Sequence, residues 1–297
     1  MNDLFEKYGY CPDQEKIGRT LELIASSLDE FASPERLKDC FSLMDLTTLH
    51  ATDTVASVKK LVAKVNGLPQ AYPTYPLPAS ICVFPNFAAT VASERKDPSV
   101  HVTAVAGCFP ASQSFLEVKV RECELAVENG ADEIDIVLAL NAFLAGDYDT
   151  VREEIVAMRK AVDEAGARAG RKVVLKVILE TGLLVSPANI AAASFLAMES
   201  GADFIKTSTG KVEVNATPMA AFVMCEAIKA YSAKTGRKVG FKAAGGISSA
   251  KDALCYYSIV SSVLGPAWLH KDLFRFGVSR LGNSLMGAIE QNTDSYF

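Results

Sequence analysis

The sequence predicts a single-domain (β/α)8 barrel, with a helical extension at residues 1–38 packed on a barrel domain at 39–297 that ends in a short tail. Three observations carry this expectation: eight short apolar runs, helix punctuation between them, and internal echoes that place like residues at like points of different strands.

The runs are Cys40–Leu49, Ser80–Phe87, His101–Phe109, Asp132–Leu138, Lys172–Leu179, Asp203–Ser208, Lys238–Ala243 and Leu273–Val278. They are near-continuous in Val, Ile, Leu and Phe, the pattern of parallel strands covered on both faces. Between them, Ser186-Pro187 and Thr217-Pro218 each supply an N-cap followed by proline at the first helical position, and Gly201 and Gly236 follow the ends of those helices. Ser249-Ala-Lys-Asp252 reads as a capping start for a third. An open doubly wound sheet is the competing architecture, weakened by the lack of a GxGxxG after the first run. No Pro-, Gly- or Ser-rich linker divides the chain.

The echoes sharpen the geometry. Glu128-Asn-Gly-Ala-Asp-Glu-Ile-Asp135 resembles Glu199-Ser-Gly-Ala-Asp-Phe-Ile-Lys206, so Asp135 and Lys206 fall at the same place on strands four and six. Gly170-Arg-Lys-Val-Val-Leu-Lys176 resembles Gly236-Arg-Lys-Val-Gly-Phe-Lys242, which does the same for strands five and seven. Alternate barrel strands fill common interior layers, so Asp135 is expected level with Lys206, and Lys176 level with Lys242.

Composition excludes several functions. Of 297 residues, 49% are hydrophobic and 22% charged, which excludes wholesale disorder. The net charge of −5 argues against a general nucleic-acid binder. No apolar run reaches the ~18 residues of a membrane span, and Met1 to Lys7 lack the apolar core of a secretory leader. Seven cysteines without a CxxC pair read as reduced thiols of a cytoplasmic protein. His50, His101 and His270 lie far apart and form no Cys/His cluster, so no zinc site built by the protein is expected; nor is a cofactor expected.

The chemistry lies in three strand lysines: Lys176, Lys206 and Lys242. Lysine is depleted in strands and is seldom buried without a partner. Along strand six Phe204, Lys206 and Ser208 share one face and Ile205 and Thr207 the other, so Lys206 points into the barrel. One such lysine alone reads as a structural ion pair. Three, with Asp135 and Asp45, read as a site, because crowded ammonium groups lower a lysine pKa and a neutral amine attacks carbonyls to form a Schiff base. The small-residue turns Thr207-Ser-Thr-Gly-Lys211, Ala243-Ala-Gly-Gly-Ile247 and Phe276-Gly-Val-Ser279 follow strands six, seven and eight, where backbone NH groups of barrels bind phosphate. The Lys211 turn is not a Walker A loop, since Ile205 stands where that loop has its first glycine.

Leu43-Met-Asp-Leu-Thr-Thr-Leu49, Gly130-Ala-Asp-Glu-Ile-Asp-Ile-Val137, Asp203-Phe-Ile-Lys-Thr-Ser-Thr-Gly-Lys211, Val214-Asn-Ala-Thr217, Val239-Gly-Phe-Lys-Ala-Ala-Gly-Gly246 and Phe274-Arg-Phe-Gly277 together resemble the deoxyribose-phosphate aldolases, class I aldolases with a barrel fold. The resemblance runs from about residue 40 to about residue 285. It implies reversible, metal-free cleavage of 2-deoxy-D-ribose 5-phosphate to acetaldehyde and D-glyceraldehyde 3-phosphate. It also implies Lys206 as the Schiff-base lysine, Lys242 as the lysine that holds its pKa down, and Asp135 as the partner in proton transfer. Asp45 and Thr209 match residues lining the substrate hydroxyls, Cys82 matches a cysteine near the pocket, and Gly210, Lys211, Gly245, Gly246, Gly277 and Ser279 match phosphate-site positions. The chain departs from the family at Ala243 and Ser248, which stand where members often have proline and arginine. Arg280, just after strand eight, is expected to supply the missing cation, and the penultimate Tyr296 stands where some members have a terminal tyrosine that reaches the site. The expected partners are a small phosphorylated sugar, with no nucleic acid and no membrane, and a homodimer as the assembly to test. The competing functions are another Schiff-base aldolase, such as a transaldolase, and a barrel that binds a phosphosugar without turning it over.

Overall fold

The eight short strands, each burying an apolar outer face under helices, close into a barrel of parallel strands in the computed structural model of the chain, paired in sequence order from β1 round to β8 and back to β1. The structure describes residues 1–293 and 295–297, apart from the side chain of Asp29. The strands are β1 Met44–Thr47, β2 Ser80–Val83, β3 His101–Val105, β4 Glu133–Val137, β5 Val174–Ile178, β6 Phe204–Lys206, β7 Gly240–Ala244 and β8 Phe274–Val278. Outward-facing residues such as Ile134, Ile136, Ile205, Phe241 and Phe276 are wholly buried beneath the helices.

Three helices precede β1: α1 Asn2–Tyr8, α2 Gln14–Phe31 and α3 Pro34–Ser42. Tyr8 stacks on Phe195 at 4.5 Å and donates to Glu199 at 2.9 Å, fixing α1 to the outer ring. The helix α2 packs on the helices Pro218–Thr235 and Ala250–Leu264. The first apolar run is shorter as a strand than its composition predicts, because Cys40 and Phe41 belong to α3. Ser33 accepts from Arg36 N, Pro34 opens the helix, and Leu37, Cys40 and Phe41 form its buried stripe at helical spacing. The other capping signals work as the sequence predicts. Ser186 accepts from Asn189 N, Thr217 from Ala220 N, and Ser249 and Asp252 form a reciprocal capping box. No described helix is long and apolar enough to cross a membrane.

Register fixes how the interior is filled. Asp135 lies opposite Lys176, Lys176 opposite Phe204, and Lys206 opposite Lys242. A barrel of this kind staggers by about one residue per strand, so a residue's level partner two strands on lies two positions beyond its direct pairing. Lys206, two beyond Phe204, is therefore level with Asp135, and Lys242 is level with Lys176. Carried round the barrel, the register gives four complete interior layers. Nearest the C-terminal mouth are Thr47, Val105, Ile178 and Ala244, and below that layer come Cys82, Asp135, Lys206 and Gly277. Beneath them are Asp45, Thr103, Lys176 and Lys242, and beneath those Ser80, Glu133, Phe204 and Arg275. Barrels usually fill these layers with branched aliphatics. Here most of the positions are polar or charged, and the sequence spends that departure on one site.

Candidate active site

Asp135 is the hub. One carboxylate oxygen accepts from Lys176 at 2.9 Å, and the other from Lys206 at 2.8 Å and Lys242 at 2.9 Å. Lys242 also donates to Asp45, whose second oxygen is 2.5 Å from Arg275. Lys176 reaches Glu133 at 2.5 Å, and Arg275 forks onto both oxygens of Glu133 at 2.7 and 3.1 Å. Thr103 donates to Glu133 at 2.9 Å, and His101 Nδ1 lies 2.6 Å from it at the lower end of the barrel. Burial is total or nearly so for all of these except His101, and buried charges persist only when paired in this way.

The protonation pattern follows from burial and neighbours. Burial alone would raise the carboxyl of Asp135, but Lys176, Lys206 and Lys242 outweigh it and hold the group well below the usual carboxylate range. Glu133 is likewise held well below, by Arg275 and Lys176 against burial, and Asp45 is lowered by Arg275 and Lys242. Burial disfavours the ammonium of Lys242, yet Asp135 and Asp45 prevail and its pKa is raised. Lys176 is raised in the same way by Asp135 and Glu133. Lys206 goes the other way. Burial, with repulsion from Lys242, overcomes the attraction of Asp135, and its pKa is lowered. Burial pushes the Cys82 thiol up, which keeps it protonated.

Above this network lies a cavity of about 250 Å³ lined by Lys206, Thr209, Gly210, Lys211, Gly245, Gly246, Gly277, Ser279 and Arg280, with Thr47, Leu49, His50, Ala244 and Val278 completing the wall. Of the three strand lysines, Lys206 is thus the one that borders open space. Asp135 and Cys82 share its layer, and Lys242 and Asp45 lie one layer deeper. Gly277 clears the way: a Cβ there would stand 3.0 Å from Lys242 Cε and 2.8 Å from the Ala244 side chain. Gly210 and Gly246 hold left-handed conformations, φ +81° in each case, and a Cβ on either would meet no atom within 4 Å, so their backbones face open space. Thr209 is held from the far side by Glu180, which accepts from its hydroxyl at 2.5 Å and its backbone N–H at 3.1 Å. Lys211 crosses the mouth to donate to the Leu49 carbonyl. Arg280 is the residue immediately before the helix Leu281–Glu290, exposed and on the cavity rim. Ser248 is exposed and its N–H donates to Asp252. Tyr296 lies away from the cavity, its hydroxyl donating to the Lys64 carbonyl at 2.7 Å.

Glu133, Arg275, Thr103 and Glu180 went unread in the sequence. Two of them carried a usable signal: Glu133 is two residues before Asp135, and Arg275 two before Gly277, so the alternation that turns Lys206 inward turns them inward as well. Among the described residues no cluster of three or more His, Cys, Asp or Glu is arranged to hold a metal ion.

A buried lysine of lowered pKa on a carboxylate, under a cavity ringed by backbone N–H groups and cations, can form an imine with a carbonyl compound that carries an anionic group. Comparison with known proteins agrees with that chemistry. Residues 40–256 match the model of the DeoC/LacD family aldolases. The chain is 42% identical over 258 residues to the deoxyribose-phosphate aldolase of Homo sapiens, covering 81% of this chain and 76% of that one. It is 39% identical over 249 residues to the enzyme of the same name from Agrobacterium fabrum, covering 84% and 89%. Among solved structures, the tetrameric deoxyribose phosphate aldolase from Aeropyrum pernix superposes with a TM-score of 0.66 at 25% identity, covering 93% of this chain and 98% of that one.

Proposed function

The chain belongs to the DeoC/LacD aldolase family, and on that footing we propose that it cleaves 2-deoxy-D-ribose 5-phosphate reversibly to acetaldehyde and D-glyceraldehyde 3-phosphate through a Schiff base on Lys206. The observation that carries the proposal is the contrast among the three lysines. Lys206 alone of them borders the cavity, and it alone has a lowered pKa.

In this reading the neutral amine of Lys206 adds to C1 of the open-chain sugar, and loss of water gives an iminium. The C3 hydroxyl loses its proton, the C2–C3 bond breaks, and its electron pair flows into the iminium to give an enamine. Glyceraldehyde 3-phosphate leaves. Protonation of the enamine carbon and hydrolysis then release acetaldehyde and restore the amine. Asp135, hydrogen-bonded to Lys206, passes protons in these steps, and Lys242 on the same carboxylate oxygen keeps Lys206 from holding its own. The backbones of Gly210, Gly245, Gly246 and Gly277, with Lys211, Ser279 and Arg280, take the phosphate. Asp45, Cys82 and Thr209 complete the substrate-binding set.

No step needs a Lewis acid, so the reaction is metal-independent. A cytoplasmic place in deoxyribose catabolism fits the unpaired cysteines and the substrate, and residues 1–38 serve as an extension of the barrel. A homodimer is the proposed assembly. The direct test is acetaldehyde release from deoxyribose 5-phosphate by the purified chain, with and without EDTA. Equal release in both supports the proposal. No release, or release lost to EDTA and restored by a divalent ion, refutes it.

A further inference from the structure

The barrel interior holds four cationic side chains, Lys176, Lys206, Lys242 and Arg275, and three carboxylates, Asp45, Glu133 and Asp135. Fully ionised, the set carries one positive charge in excess. With Lys206 neutral it balances. The pairing geometry shows why Lys206 is the surplus cation. Lys176 bridges Glu133 and Asp135, Lys242 bridges Asp45 and Asp135, and Arg275 bridges Asp45 and Glu133. Three cations and three carboxylates therefore close a ring of alternating charge, and Lys206 joins it from above at Asp135, 2.8 Å away.

We propose that Arg275 and Glu133, two layers beneath the nucleophile and out of reach of substrate, are positioning residues for the aldol reaction: Arg275 completes the neutral ring that leaves Lys206 as the cation without a counter-charge, and Glu133 holds Arg275 and Lys176 in that ring. A guanidinium suits this role because it stays charged at every working pH and its fork matches two carboxylates at once. Lysine at the same place keeps the positive charge the ring needs but not the fork. The inference rests on the reading of Lys206 as the Schiff-base lysine.

The groups that face Lys206 from the other strands are those of the ring, together with Cys82 in its own layer and His101 beneath Glu133. At the mouth stand His50, Glu180, Lys211 and Arg280. Removing the charge of Arg275 leaves three ammonium groups against three carboxylates, so Lys206 becomes a needed counter-ion and keeps its proton to higher pH. Removing the charge of Glu133 has the opposite sign.

The experiment is the pH dependence of kcat/KM for deoxyribose 5-phosphate in Arg275→Met, Glu133→Gln, the double variant and Arg275→Lys, each checked by borohydride trapping with acetaldehyde. Arg275→Met should move the acidic limb up by on the order of one pH unit, as expected for a unit charge acting over two barrel layers. Glu133→Gln should move it down. The double variant, balanced again, should return near the wild-type position, and Arg275→Lys should stay there. Limbs that move the same way in both single variants, that do not move at all, or that fail to return in the double variant overturn the inference. If Arg275→Met does not fold, the downward shift in Glu133→Gln and the unmoved limb in Arg275→Lys still decide it. Absence of a trapped adduct on Lys206 in the wild-type protein would instead overturn the nucleophile assignment, which separates the two failures.

Discussion

Replacing Lys242 by leucine removes the ammonium that shares an Asp135 oxygen with Lys206. Both lysines bond to that oxygen, at 2.9 and 2.8 Å, so their nitrogens lie within about 6 Å of each other. Two unit charges about 5 Å apart at an effective dielectric constant near 20 repel by roughly 3 kcal/mol, equivalent to about two pH units of lowered pKa. Their loss frees Lys206 to stay protonated. The change also leaves Asp135 with two cations in place of three and Asp45 with Arg275 as its close partner, and both effects stabilise the Lys206 ammonium further. All the contributions have one sign: the acidic limb of kcat/KM should rise by about one to two pH units, while activity well above it recovers in part. The assay is the initial rate of acetaldehyde release across the pH range, with circular dichroism confirming the fold, since removing one partner of a buried pair costs roughly 3–5 kcal/mol of stability. A folded variant whose acidic limb stays at the wild-type position refutes the reasoning.

Asp135→Asn should slow turnover at least tenfold while leaving measurable imine formation, read by rapid-quench trapping; normal turnover would make Asp135 a structural residue. Arg280→Ala should raise KM for deoxyribose 5-phosphate by on the order of tenfold to a hundredfold, the worth of a charge-assisted contact to phosphate. It should leave unphosphorylated deoxyribose nearly unaffected, and equal losses on both substrates would contradict a phosphate role. Asp45, Glu133 and Asp135 all have depressed folded-state pKa values, so the stability they contribute is present above the unfolded carboxyl values near about 4 and lost as pH falls through the folded ones. The melting temperature should therefore drop as pH is lowered below about 4, and one that stays flat there would contradict the paired charges.

The barrel was legible because strand alternation and helix caps are local signals, written in consecutive residues such as Thr217-Pro218 and Ser249–Asp252. The level placement of Asp135 with Lys206 was legible from a repeat, because equal distances from equivalent glycine turns give equal heights on alternate strands. The first strand's start was not, because Cys40 and Phe41 suit a buried strand and a buried helix stripe equally, and Pro34 decided between them. The lower half of the charge network was hidden for a different reason. Alternation turns Arg275 and Glu133 inward, but they are adjacent only across the closed barrel, separated by 142 positions, so their pairing is not written in either strand. A separation of 29 positions likewise hid the grip of Glu180 on Thr209. Tyr296 shows the limit of placing a residue by its nearness to the terminus: the tail packs Tyr296 against Tyr72 and Phe297, with its hydroxyl on α-helical backbone at Lys64.

The Schiff base on Lys206 is one covalent bond, and borohydride reduction in the presence of acetaldehyde, followed by peptide mass mapping, reads it directly. A single added ethyl group should appear on the peptide that contains Lys206, and no such adduct in Lys206→Ala. An adduct on Lys176 or Lys242 in the wild-type protein, or an undiminished adduct in Lys206→Ala, would contradict a Schiff base on Lys206.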